Sequence, residues 1–367
     1  MITYCTNIHP GEGAEETFSS LYSHLPKIKA AVSPDKPFPI GLRLSNRASV
    51  ETGRKNSQKF NEWCKEHDCF VPTINGFPYG EFHGGSIKEA VYAPDWGSSE
   101  RVEYTKRLAS LLVEWLPEGV TGSISTLAVG FRKHLDHSDL KSVRRNILDV
   151  LEFIDSLSQR HGKEILLALE PEPGCFLETT EDVLEFFGSM KLPEGLSRFL
   201  GICYDCCHQA VEFEDPSVSL SLLSEAGIRI AKLQTSSALC LNSFDRELLS
   251  RISEPVYLHQ VVVKSPAGRI HRFNDIPEAL ALYHGDPDAE CRIHFHIPVF
   301  IRETSFCGTT RSFVESAVRL LDGQILMEVE TYTWQQLESE LRMQTVEKSL
   351  IHEIKWVESI CEKNSCS

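Results

Sequence analysis

The strongest constraint in this chain is a sustained alternation of strand-like and helix-like segments. Short apolar runs rich in β-branched residues read as strands, and apolar residues three or four apart read as helix faces. Strands are expected at 1–9, 37–44, 69–74, 120–127, 164–170, 200–205, 227–233 and 323–330. Helices are expected at 14–31, with Pro26 as a kink or break, and at 50–67, 100–116, 140–161, 179–190 and 217–225. A last helix is expected from about 335 to 361. Such alternation belongs to parallel α/β architecture. Eight units without a Gly-rich nucleotide loop favour a closed (β/α)8 barrel over an open doubly wound sheet. The expectation is one barrel domain over 1–367, ending in a C-terminal helix.

One interval breaks the rhythm. About ninety residues separate Gln234 from the last strand. Within them, 256–273 reads as a hairpin turning at P-A-G. This predicts an insertion at about 236–290, between the seventh and eighth strands, placed over the catalytic mouth. Loops of this length usually serve as lids or binding elements.

Composition narrows the partners. The net charge of −15 argues against a nucleic-acid partner, since such binding rests on Lys and Arg neutralising phosphates. Apolar stretches fall far short of the ~20 residues that span a bilayer. The N-terminus opens into a strand-like run without a signal-peptide pattern, so a cytoplasmic protein is expected. Twelve scattered cysteines, including C-x-x-C-C at 203–207, lack zinc-ribbon spacing and read as buried thiols. A small-molecule substrate is the expected partner, and the oligomeric state is left open.

The chemistry concentrates at strand ends, where barrel enzymes keep their sites. L-E-P-E-P, I-C-Y-D, K-L-Q-T and L-M-E-V-E-T place Glu170, Asp205, Gln234 and Glu330 there. Adjacent buried carboxylates repel, so a cluster of them implies a cation. The run C-R-I-H-F-H-I-P-V-F adds His294 and His296, two apart and so on one face of a strand. Together these residues suggest a polar ring at one barrel mouth that holds Zn²⁺, Mn²⁺ or Mg²⁺. His208, three residues after Asp205, could serve a second metal or the substrate. His9, Asn75 and Tyr79 are candidates to line the same mouth.

These motifs resemble the xylose isomerase-like TIM-barrel superfamily, which includes sugar isomerases, sugar epimerases and endonuclease IV-type repair enzymes. The marks are L-E-P-E-P-G, Y-D-C-C-H, H-F-H and E-V-E-T. The resemblance implies that Glu170, Asp205 and Glu330 ligate metal and that Glu170 and Glu330 act as acid and base. It makes His208 the histidine of the family's D-x-x-H, and His294 and His296 its D-x-H or H-x-H pair. One departure stands out: the seventh strand usually ends in a metal-binding His, and here Gln234 occupies that place. More narrowly, N-I-H-P-G-E, H-F-H-I-P-V-F and E-V-E-T-Y-T-W are similar to the subgroup called metabolite traffic protein EboE. That likeness implies a place in moving a small-molecule precursor across a bacterial inner membrane.

Three functions follow as expectations. The first is metal-dependent isomerisation or epimerisation of a small polyhydroxylated or carbonyl metabolite. The second is non-catalytic binding or trafficking on the same barrel. The third is a metal-dependent phosphodiesterase of the endonuclease IV type, against which the acidic charge counts.

Overall fold

The computed structural model describes every residue except 84–86, 136–139, 322, 324, 366 and 367. Seven strands come first: β1 (Ile2–Tyr4), β2 (Phe38–Arg43), β3 (Cys69–Asn75), β4 (Gly122–Leu127), β5 (Ile165–Glu170), β6 (Leu200–Asp205) and β7 (Arg229–Thr235). Five more follow: β8 (Ser237–Leu241), β9 (Val261–Lys264), β10 (Ile270–Phe273), β11 (Glu290–Ile297) and β12 (Gly308–Thr309). The last is β13 (Met327–Val329).

The barrel is an eight-stranded sheet in the order β1-β13-β7-β6-β5-β4-β3-β2. Every pairing in it is parallel. A parallel bridge between Cys5 and Gly41 joins the first strand to the second and closes the ring. A side chain at Gly41 would strike the Glu328 carboxylate and the Tyr4 carbonyl, so this close approach requires glycine.

Alternate residues of a strand share a face. The inward face of four neighbouring strands therefore carries Glu170, Asp205, Gln234 and Glu330 at one level. Two residues earlier it carries Ala168, Cys203, Lys232 and Glu328. The small residues Ala168, Cys203 and Gly41 leave room for an ion pair between Lys232 and Glu328, both fully buried. Burial works against the ammonium, but Glu328 more than offsets it and holds Lys232 above its ordinary range.

The second sheet is antiparallel, in the order β10-β9-β11-β8-β12. Along β11, Cys291, Ile293, Phe295 and Ile297 enter an apolar cluster with Leu239, Val261 and Ala279. The opposite parity, Arg292, His294 and His296, faces the short helix Cys206–Val211, where Arg292 Nη1 donates to the Ala210 carbonyl at 2.6 Å. The H-F-H segment is thus a central strand of the second sheet and lies outside the barrel wall. Its histidines reach the mouth from above, because the period-two pattern turns them away from the apolar face. This sheet runs on to Thr309, beyond the expected limit near 290.

Other boundaries differ for local reasons. The first strand stops at Tyr4, because Thr6–Ile8 winds into a 3₁₀ turn. Helix Ala14–Val32 passes through Pro26 unbroken; the carbonyl that loses its partner belongs to Tyr22, on a partly exposed face. The last helix, Val346–Ser365, starts later than expected. Two 3₁₀ turns precede it, and Leu337 and Leu341 there pack against the second sheet.

Removing one member of a buried ion pair leaves an uncompensated charge. Lys232→Met is expected to destabilise the protein by about 3–5 kcal/mol in urea unfolding, and Lys232→Met with Glu328→Leu to recover most of the loss.

Candidate metal centre

Three imidazoles meet above the barrel mouth. The Nε2 atoms of His208 and His294 are 3.1 Å apart, those of His294 and His296 2.9 Å, and those of His296 and His208 3.3 Å. Their partners decide where the protons sit. His208 Nδ1 lies 3.0 Å from the Pro171 carbonyl and His296 Nδ1 3.1 Å from the Glu330 carbonyl. A carbonyl only accepts, so both Nδ1 atoms donate. Gln260 settles the third ring. Its Nε2 donates to the Pro173 carbonyl at 2.9 Å and to the Tyr92 hydroxyl at 2.7 Å, so its Oε1 accepts from His294 Nδ1 at 2.6 Å. All three Nε2 atoms are therefore lone pairs aimed at one another. Tetrahedral zinc, with bonds of about 2.05 Å, spaces its nitrogen ligands by about 3.3 Å.

A carboxylate cluster adjoins this triad. Asp205 caps the helix that carries His208: its Oδ1 accepts from Cys207 N at 2.6 Å, His208 N at 3.1 Å and Ser236 Oγ at 2.8 Å. Its Oδ2 has no hydrogen-bond partner and stands 4.0 Å from His208 Nε2. Asp205 also groups with Glu170 and Glu330, ligand atoms within 4.8 Å of one another. Glu330 Oε1 accepts from Asn7 Nδ2 at 2.7 Å and Asn75 Nδ2 at 3.1 Å. Glu170 Oε2 and both amide atoms of Gln234 are buried without partners. Of these, the acceptors Glu170 Oε2 and Gln234 Oε1 call for a cation or bound solvent. The residues present fit a divalent metal: His208, His294 and His296 would hold one ion, with Asp205 beside His208 and His296, and the acids could take a second.

The environment sets the charges. Burial, with an opposing contribution from the Pro171 carbonyl, lowers His208 to about 3. Burial also lowers His296 to about 4, and burial with the neighbouring imidazoles drives His294 well below its usual value. The triad is neutral at pH 7, as metal binding needs. Burial and repulsion from Asp205 and Glu328 push Glu170 up to about 8, against the pull of Lys232. Burial, with repulsion from Glu170, Asp205 and Glu328, raises Glu330 well above the carboxylate range. Glu172, also raised by burial, accepts from the Tyr92 hydroxyl at 2.8 Å.

No protein-family model matches the chain, and no curated protein matches it by sequence. Solved structures do match. A xylose isomerase-like TIM barrel protein from Mycobacterium smegmatis, in complex with magnesium, aligns at TM-score 0.55 and 10% identity, over 96% of this chain and 92% of its own. An IolI protein with a bound zinc atom aligns at 0.52 and 12% identity, over 99% and 98%. An L-ribulose 3-epimerase aligns at 0.53 and 11% identity, over 100% and 95%. This chain shares the TIM-barrel fold of these proteins.

Within that fold, Glu170, Glu330, His294, His296, His208 and Asn75 line one cavity. Asp205 and Gln234 lie just beneath it, fully buried. His208, expected on the substrate or on a second metal, points its Nε2 at the same spot as the H-F-H pair. Two candidates fall outside the lining. His9 stacks on His24 with centroids 4.2 Å apart and meets the Tyr4 hydroxyl, because the 3₁₀ turn after β1 carries it behind the wall. Tyr79 turns outward to pack edge-on against Tyr104 at 5.1 Å. Sequence reading missed Gln260, Tyr92 and Asn7. Asn7 carried a signal, two residues before His9 in N-I-H. Gln260 carried none, since its partner His294 is 34 residues away.

Two outcomes are expected. Gln260→Leu frees the His294 tautomer and lowers zinc affinity about 10–100-fold in chelator competition. In the metal-free protein the unfolded state gains protons below about pH 6.5 that the folded triad refuses. The triad's share of stability is therefore complete above that pH and is lost as pH drops towards 4. Glu170, held up to about 8, acts in the opposite sense in the same window in both proteins, so the triad's share is read as the difference in slope between wild type and His208→Gln by urea unfolding.

Proposed function

We propose that this protein is a zinc-dependent enzyme that shifts a proton next to the carbonyl group of a small metabolite, as in isomerisation or epimerisation. The observation that carries the reading is the shared cavity of Glu170 and Glu330 beside three convergent imidazole nitrogens. Three imidazoles favour zinc over magnesium, which prefers oxygen donors. A zinc ion held there would supply Lewis-acid polarisation of a substrate oxygen.

The two glutamates supply the proton transfers. Buried close together, they disfavour double ionisation, so near neutral pH one holds a proton and the other does not. In the metal-free protein both glutamates are raised; a zinc cation beside them would favour ionisation, and Glu330, whose Oε1 receives two amide hydrogen bonds, is suited to the ionised role. Glu170, with an unpartnered Oε2, is suited to holding the proton. Glu330 then takes the proton from the carbon, and Glu170 delivers one. The neighbouring-fold epimerase agrees with this chemistry by analogy.

Gln234 favours a second reading, a binding protein that carries a metabolite without turning it over. A neutral amide stands where the acids would gain from another imidazole, and both its polar atoms are unpartnered. The phosphodiesterase reading is weaker. Among the described lining residues Lys88 is the cation, and it is engaged by Asp275 at 2.7 Å.

The test is metal content together with hydrogen exchange. Zinc-loaded protein incubated with small α-hydroxyketones, aliphatic and aromatic, in D₂O is expected to label the carbon beside the carbonyl. Glu330→Gln should slow this about 10²–10⁴-fold while keeping its zinc. Zinc binding with no labelling of any of these hydroxyketones would leave the carrier reading in its place.

A further inference from the structure

The cavity over the metal centre changes character along its depth. Its floor is formed by Asn7, Asn75, Glu170, Glu172, Glu330 and the imidazoles. Its upper wall is formed by Phe77, Phe82, Val91, Tyr257, Leu258 and Tyr332. The cavity opens to solvent, and the space within it and its mouth together is about 540 Å³.

The upper wall is aromatic in a specific way. Phe82 lies 5.4 Å from Tyr257 and 5.0 Å from Tyr332 between centroids, and Tyr257 lies 5.2 Å from Tyr332. Tyr332 also lies 4.6 Å from the His296 ring, so the aromatic surface runs down to the triad. The Tyr257 hydroxyl donates to the Phe82 carbonyl at 3.1 Å, which ties its polar end within the wall.

This wall is held in place. Glu254 accepts from the backbone N–H of Val256 and Tyr257, both at 2.7 Å, and meets His259 Nε2 at 2.8 Å. The Val256 carbonyl accepts from Ile87 N at 2.9 Å and Lys88 N at 3.2 Å. Lys88, at the rim, donates to Asp275 at 2.7 Å and to the Glu254 carbonyl at 3.1 Å. Its charge is thus committed to the protein.

We infer that the ligand of this centre is an uncharged amphipathic molecule, with a chelating pair of oxygens on a flat apolar or aromatic body. The inference rests on the metal-centre reading above. A free sugar carries a hydroxyl on nearly every carbon, and each one buried against the upper wall would lose its water without a partner. A phosphorylated sugar would need a free cation at the rim. An aromatic body would instead gain from stacking and from burial of its area. The oxygen pair would sit at the floor, between the triad and the two glutamates.

The experiment compares acetohydroxamate, benzohydroxamate and D-fructose by calorimetry on the zinc-loaded protein. The two hydroxamates share a chelating head and differ in the body. Benzohydroxamate is expected to bind at least ~10-fold tighter than acetohydroxamate, from the added apolar area, and D-fructose more weakly than either. Tyr332→Ser and Leu258→Asn should each narrow the gap to less than about threefold, as expected on losing part of that apolar contact. Zinc content and acetohydroxamate affinity are measured in both variants, so that the gap is read as a ratio at equal zinc loading. Equal affinity for the two hydroxamates, tighter binding of D-fructose, or a gap that survives both variants would overturn the inference and leave the metal centre standing. Failure of the wild type to bind zinc would overturn both.

Discussion

Three unprotonated imidazole nitrogens face one another within 3.3 Å, and their protons are pinned on the far side of each ring. Two backbone carbonyls and one glutamine amide do the pinning. Lone pairs so arranged repel unless an electrophile lies between them. Much else in the molecule serves this arrangement. The short helix after β6 is capped by Asp205, which orients His208 and leaves one carboxylate oxygen turned towards the triad. The parity of β11 sends two more rings to the same spot. Thr333 Oγ1 donates to the His296 carbonyl at 2.7 Å and steadies that strand end.

Beneath the triad, the barrel interior is stacked by charge. Lys232 and Glu328 pair at one level, and the acids and Gln234 occupy the next. The buried ammonium attracts Glu170 and Glu330 and moderates the repulsion among the acids. The carboxylate floor can thus exist with less than a full complement of external positive charge. Above the imidazoles the polarity falls away into aromatic wall. A substrate entering the cavity would cross from apolar surface to ligating nitrogens to carboxylates.

Much of this was legible in the sequence, for physical reasons. Parallel barrel strands are short buried runs, and their ends are marked by acids in L-E-P, Y-D and V-E-T. Period two sufficed to put His294 and His296 on one face. It could not say which sheet they joined, because an apolar strand reads alike in a parallel barrel and an antiparallel sheet. His9 and Tyr79 misled because a 3₁₀ turn and a loop reset the direction of side chains that strand parity would have aimed inward. Gln260 was out of reach: its role is defined by a contact across the fold, and nothing in L-H-Q-V-V-V sets it apart. The aromatic wall was equally hidden, since Phe82, Tyr257 and Tyr332 are scattered over 250 residues and meet only in space.

The triad is also a seam. His208 belongs to the barrel, and His294 and His296 belong to the second sheet, so the nitrogens converge only when the two sheets are docked. A ligand that binds only the docked form stabilises the docking by RT ln(1 + [L]/Kd), more the tighter it binds and the more of it is free. A metal here would therefore act as a fastener between two folding units as well as a chemical centre.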